Sequence, residues 1–222
     1  MQHLIDGFRK FQAEAFGQRR DLFKHLATTQ TPGTLFVSCS DSRVVPELLT
    51  QQEPGDLFVI RNVANLVPPY KPSEDYHGTS AALEFAVREL GVESLVVMGH
   101  SLCGGVAALT HDRSQSSSDF ISQWVSIADP ALEQVRDVTT PGEPLDLPTL
   151  ERAVVKLSLN NLRTFPWIAA LEQEGRLSLH GMLFDVGAAE LHILDEASGG
   201  FHPIPQIRPR LRSSLPPLPV SE

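Results

Sequence analysis

The apolar positions of the chain follow two periods. Leu4, Phe8, Phe11 and Ala15 recur at helical spacing, and a second such segment covers 20–28, so the chain is expected to open with two amphipathic helices. TPG at 31–33 breaks that pattern, and TLFVSC, 34–39, predicts a buried strand. VPELLT, 45–50, predicts a short helix, EPGD, 53–56, a turn, and LFVIRN, 57–62, a second strand. A proline-rich loop, LVPPYKPSEDYHG, leads to the helix TSAALEFAVREL, which Gly91 ends. SLVVMGH, 94–100, predicts a third strand, and CGGVAALT opens another helix. Residues 112–148 are patterned as interrupted helix, broken by the polar RSQSSSD and by TTPGEPLDLP. LERAVVKLSLNNLRTF is a strongly amphipathic helix stopped by Pro166, and WIAALEQEG predicts the next, ended by Gly175. LSLHGMLFDV, 177–186, and LHILD, 191–195, predict a closing strand pair around a turn containing Gly187. The tail after Phe201 is rich in proline and is expected to be extended over the surface or disordered.

Strands alternating with helices predict an α/β fold. Its expected form is a central, mostly parallel four-stranded sheet with an antiparallel edge strand, covered by helices on both faces, with an N-terminal helical extension. One domain is expected over residues 1–205, followed by a Pro-rich tail at 206–222. A chain of 222 residues with 41% hydrophobic and 20% charged residues is ordinary for such a domain. The net charge of -9 argues against nucleic acid as a partner. Apolar runs are too short for a membrane span, and MQHLIDGFRKFQAEAF lacks the pattern of a secretory signal, so the expected compartment is the cytoplasm. There, the two cysteines, Cys39 and Cys103, point to metal binding or catalysis rather than a disulfide.

Cys39 ends the first predicted strand, in CSDSR; the third ends in GHSLCGG, which puts His100 and Cys103 in a strand-to-helix turn. If those strands are neighbours, both turns open onto the switch point of the sheet, where α/β proteins bind ligands. Two thiolates and an imidazole suit zinc and leave its fourth position for water. The glycines after Cys103 allow close backbone approach, and a helix beginning there favours the Cys103 thiolate. Asp41 and Arg43 alternate in phase with Cys39, so in extended chain all three face one side. Arg43 would keep Asp41 ionised. Asp41 could close the metal site as a fourth ligand, or bond to Arg43 and leave it open. Two thiolates neutralise more metal charge than imidazoles do, so activity is expected to need mildly alkaline pH. Taken singly, each feature has a plainer reading: an inert buried thiol, a structural ion pair, a capping histidine, a chance H-x-x-C. Together they point to a metal site.

CSDSR followed by GHSLCGG resembles the β-class carbonic anhydrases. EPGDLFVIRNVANLVPPY, GTSAALEFAVRELGV and LHGMLFDV extend the resemblance over residues 3–205. The N-terminal IDGFRKFQAEAF and LFKHLATTQTPGTLFVSCSDSR are especially similar to bacterial members associated with cyanate degradation. The resemblance implies reversible hydration of CO2 to bicarbonate on zinc, with Cys39, His100 and Cys103 as ligands and Asp41 and Arg43 as the dyad beside the metal. Gln30 would bond the bicarbonate across a dimer interface, and Phe58, Val63 and Gly104 would line the substrate pocket. A homodimer or larger homo-oligomer is implied, with the arm 1–29 packed on a partner subunit. Some members hold a second, inhibitory bicarbonate with a tryptophan and a tyrosine, where this chain has Phe36 and Phe184; Arg61, the third component, is present. The resemblance therefore implies the open form here. Plant members carry a tyrosine and a histidine, candidates for proton transfer, where this chain has Phe85 and Glu89, and His77, His111 and His180 have no assigned role. Two alternatives stand beside this reading: hydrolysis of CS2 or COS with the same ligands, and a zinc-binding or redox module without catalysis.

Overall fold

A computed structural model describes residues 1–111 and 118–205. RSQSSSD, apart from its last two residues, and the tail 206–222 lie outside the described residues.

The runs of β-branched and large apolar residues become strands: β1 Thr34–Cys39, β2 Leu57–Asn62, β3 Ser94–His100 and β4 Ser178–Asp185. All four are parallel, in the order β2-β1-β3-β4, and β5 (Glu190–Asp195) and β6 (Gly200–Pro203) continue the sheet antiparallel. The sheet therefore has one more strand than the sequence pattern indicates. Proline-rich sequence hides β6, yet the turn before it is well made: Asp195 accepts from Ala197 N and Ser198 Oγ, and Gly199 takes φ +68°.

Helices fill the crossovers. The arm consists of α1 (Gln2–Lys10), a wider turn at Phe11–Ala15, α2 (Phe16–Gln18) and α3 (Arg20–Leu26). Next come α4 (Pro46–Thr50), α5 (Gly78–Glu84, widened over Phe85–Glu89), α6 (Gly104–Ala107), α7 (Ile121–Val125), α8 (Asp129–Val138), α9 (Leu147–Leu162) and α10 (Pro166–Gln173). Helix α9 begins three residues earlier than its apolar pattern suggests. Asp146 caps it through Thr149 N at 3.1 Å, and Pro148 sits in the first turn, where no amide is needed.

Right-handed crossovers explain the layering. The chain steps from β1 to β2 on one face through α4 alone. It returns from β2 to β3, and onward to β4, on the other face through α5 and α6–α10. Leu35 and Val37 thus pack under α5, α9 and α10. Phe36, Val96 and Met98 face the opposite side with Val44, Leu49 and Phe184. The expected double cover is real but uneven. The arm touches the domain chiefly where Gly55 (φ +100°) admits Leu26 and where Arg19 pairs with Glu53; none of its helical residues is buried. No described helix is long and apolar enough to cross a membrane.

Candidate metal centre

β1 and β3 are neighbours, with Ser38 opposite Met98, so the turns after both strands open side by side. Cys39, His100 and Cys103 are all buried, and their ligand atoms lie within 4.8 Å of one another. The two sulfurs are 3.9 Å apart, and both thiols are free. His100 Nδ1 donates to Ser101 O at 2.9 Å, which leaves Nε2 as the lone-pair nitrogen. That Nε2 is buried and has no hydrogen-bond partner. A buried polar atom without a partner costs stability unless something fills the role. Two soft sulfurs and one imidazole converging on a point match the donor set of zinc, so the residues fit the metal.

The electrostatics of the cluster follow from its crowding. The Cys39 thiol is pulled well below the usual thiol range, chiefly by the hydrogen bond from Cys103. Cys103 is pushed up by holding that bond and by burial, while the amides of Val106 and Gly105, at the start of α6, pull the opposite way. The expected help of a helix start is thus present as two local N–H groups; α6 itself has four residues.

Asp41 and Arg43 meet by a different route than alternation in a strand. β1 stops at Cys39, and the chain turns, with Val44 N bonded to Asp41 O at 3.0 Å. Asp41 Oδ1 accepts from Arg43 N and Nε, both at 2.9 Å, and Oδ2 accepts from Arg43 Nη2 at 2.7 Å. The Arg43 guanidinium holds the Asp41 carboxyl well below the usual carboxylate range. Oδ2 also lies 3.8 Å from His100 Nε2, so it borders the cluster with a lone pair to spare.

Other predicted residues divide by their place on the sheet. Val63 packs in the same apolar cluster as Cys39 and Cys103, and its carbonyl accepts from Trp124 Nε1 at 2.8 Å. Gly104 borders open space, whereas Gly105 is the residue that must be small: a Cβ there would lie 2.6 Å from Val63 Cγ1. Phe58 sits near the start of β2, packed on Phe85 with ring centroids 5.9 Å apart. Gln30 is exposed, just before β1. Both lie at the amino ends of parallel strands, while Cys39 and His100 lie at the carboxyl ends. A six-residue strand separates the two ends by about 17 Å. One copy of the chain therefore does not bring Gln30 or Phe58 to its own cluster. His77 and His180 bond Ser73 and Ser178 instead, and His111 follows α6 on the surface.

Two residues of the site act in ways the sequence pattern does not show: the resemblance names Arg61 only as a component of an inhibitory bicarbonate site, and Glu151 not at all. Arg61 donates to the carbonyls of Cys39, Asp41 and Val44 at 3.0, 2.7 and 2.6 Å, clamping the whole turn. Glu151 is a buried carboxylate on α9 whose Oε1 accepts from Cys103 N at 3.0 Å. A signal for it did exist: Glu151 falls on the buried stripe that runs through Val154, Val155, Ser158 and Leu162, where a charge is out of place. Phe36 and Phe184 pack together on the opposite face and offer no polar atom to an anion.

The family model for carbonic anhydrase matches residues 34–191. The chain is 45% identical over 208 residues to carbonic anhydrase 1 of Escherichia coli O157:H7, covering 92% of each chain. The solved β-carbonic anhydrase CcaA superposes with a TM-score of 0.86 at 37% identity, covering 92% of this chain and 99% of that one. One of two tetrameric β-carbonic anhydrases of Sordaria macrospora superposes with a TM-score of 0.74 at 28% identity, covering 87% and 95%.

Proposed function

The chain belongs to the β-carbonic anhydrases, lyases of the carbonate dehydratase type, and on that premise we propose that it hydrates CO2 reversibly at a zinc ion held by Cys39, His100 and Cys103. The observation that carries the metal is the buried, unpartnered Nε2 of His100 beside two free thiols. Zinc bound there supplies the Lewis acidity that makes a nucleophile of water at neutral to alkaline pH. The chain's own groups do the rest. Asp41 Oδ2, ionised and fixed by Arg43, accepts a hydrogen bond from the attacking water and aims its lone pair at the carbon. CO2 is apolar, and the side chain of Val63 gives it a dry surface beside the cluster. Gln30 and Phe58 enter from a second copy, whose strand starts face this copy's strand ends. The Gln30 amide donates to the anionic product. With a phenylalanine at 85, no tyrosine stands ready at that position to relay the proton, and buffer carries it away. A homo-oligomer is thus part of the reading. It suits the arm, which leaves Leu4 and Phe8 exposed. A cytoplasmic setting suits two thiols kept reduced.

Metal analysis with stopped-flow CO2 hydration tests this. One zinc per chain is expected, with a rate that climbs between about pH 6 and 9 because two thiolates blunt the acidity of the metal. Cys39→Ala should lose both metal and rate with the fold retained. A wild-type protein that binds no zinc, or binds it and turns over CS2 but not CO2, refutes the proposal.

A further inference from the structure

Glu151 is the one buried carboxylate among the described residues, and it is 2% exposed. It stands in the first turns of α9 between Leu150 and Val154, both fully buried. A position that served packing alone would be filled at less cost by an apolar side chain of similar volume. What Glu151 holds is backbone. Its Oε1 accepts the Cys103 amide at 3.0 Å.

That amide belongs to a strained turn. Leu102 adopts φ +57°, a left-handed conformation that a leucine keeps only when its surroundings over-determine it. The surroundings do so group by group. Ser101 N donates to Phe184 O at 2.9 Å, and Ser101 Oγ accepts from Val186 N at 2.9 Å. His100 Nδ1 takes Ser101 O, and Arg43 Nη2 takes Leu102 O at 3.0 Å. Glu151 supplies the last restraint, on the residue that carries the sulfur. On the other side Cys103 O accepts from Ala107 N at 2.9 Å, the first bond of the four-residue α6, so Glu151 is the side chain that holds the Cys103 amide.

We propose that Glu151 is a positioning residue of the metal centre: by accepting the Cys103 amide it locks the turn that aims the Cys103 sulfur at the point shared with Cys39 and His100. This rests on those three residues holding zinc. Buried partners of metal ligands commonly set affinity in this way.

The test separates reach from charge. Glu151→Gln keeps the length and the acceptor oxygen but loses the charge. Glu151→Asp keeps the charge but withdraws the oxygen by one methylene. Zinc affinity is measured by chelator competition, and the ligand geometry by the absorption bands of the cobalt-substituted protein. Circular dichroism checks the fold. The Gln variant should hold zinc within about twofold of wild type with unchanged cobalt bands, and the Asp variant should hold it about tenfold or more weakly with shifted bands. Equal affinities, or the reverse order, overturn the proposal. If either variant misfolds, hydrogen exchange at the Cys103 amide of the wild-type protein decides: exchange as fast as an exposed loop overturns it, and strong protection supports it. A wild type that binds no zinc would instead fail the underlying metal assignment, which the same titration shows before any variant is compared.

Discussion

If Gln30 serves the cluster of another copy, two inactive variants should rescue each other. Gln30→Ala leaves the cluster of its own chain intact, and Cys39→Ala leaves its own Gln30 intact. Within one chain Gln30 precedes the start of β1 and Cys39 ends it, and the strand between them is about 17 Å long, farther than a glutamine side chain reaches. In a two-fold dimer each site takes its cluster from one copy and its glutamine from the other. A mixed dimer then holds one complete site and one doubly damaged site. Random mixing makes half of the dimers mixed, so about one quarter of all sites are complete. The Cys39→Ala homodimer should be inactive. The Gln30→Ala homodimer should fall by about 10²-fold, the usual cost of losing one donor to a developing anion. Co-expression at equal levels, followed by stopped-flow CO2 hydration per chain, should therefore give about one quarter of the wild-type rate. A rate that merely averages the two homodimers would show that Gln30 acts within its own chain or not at all.

Other consequences follow from single contacts. Arg43→Met removes two of the three hydrogen bonds on Asp41, so kcat/KM should drop about a hundredfold at pH 8. Asp41 has a depressed pKa in the folded protein, so its contribution to stability is present above the ordinary carboxylate range and lost as pH falls through the folded value. Urea unfolding of wild type and Arg43→Met should accordingly differ at neutral pH and converge in acid; a gap that widens in acid would reverse the sign and refute the pairing. Gly105→Ala drives a methyl against Val63 and the Ala64 backbone and should cost about 1–3 kcal/mol in urea unfolding, with loss of activity, while Gly104→Ala next door should stay within about 0.5 kcal/mol; equal costs would sink that distinction. Arg61 is committed to three carbonyls, and Phe36 and Phe184 give an anion nothing to bind, so bicarbonate inhibition should fit one competitive site. Cooperative inhibition would contradict it.

The residues most legible in the sequence are those whose chemistry is local. Cys39, His100 and Cys103 could be read because each strand announces its own end, and the parallel pairing of β1 with β3 brings those ends together. Asp41 and Arg43 were legible as a pair but for a reason that the structure replaces. Alternation would have placed them side by side in a strand, whereas an Asp41-headed turn does so after the strand has ended. β6 was hidden because prolines outweigh a four-residue ladder in any pattern, and because the register that pairs Ile193 with His202 is set by the Asp195–Gly199 turn. Arg61 and Glu151 could not be assigned from spacing, since each acts on backbone carbonyls or amides that lie from 17 to 48 residues away in the chain.

Gln30 and Phe58 lie away from the cluster of their own chain, and the arm bears on where they act. Phe8, Phe11, Phe16 and Phe23 stack on one another at centroid distances of 5.4 to 6.2 Å, yet Phe8 remains 58% exposed and Leu4 61% exposed. A helix pair with an apolar stripe of that kind gains most of its stability from a surface it has yet to reach. Among the described residues, α4 is the helix that covers the face of the sheet carrying Phe36 and Met98. On this reading, one association covers the arm, completes the thin layer and delivers Gln30 and Phe58 to a cluster. Weakening the arm should then lower activity before it disturbs the metal. Phe8→Ala together with Leu4→Ala should shift the protein toward monomer and cut hydration per chain in step with the monomer fraction, while zinc stays bound. An active monomer would break the link between assembly and catalysis, because it would hold a complete site without the second copy.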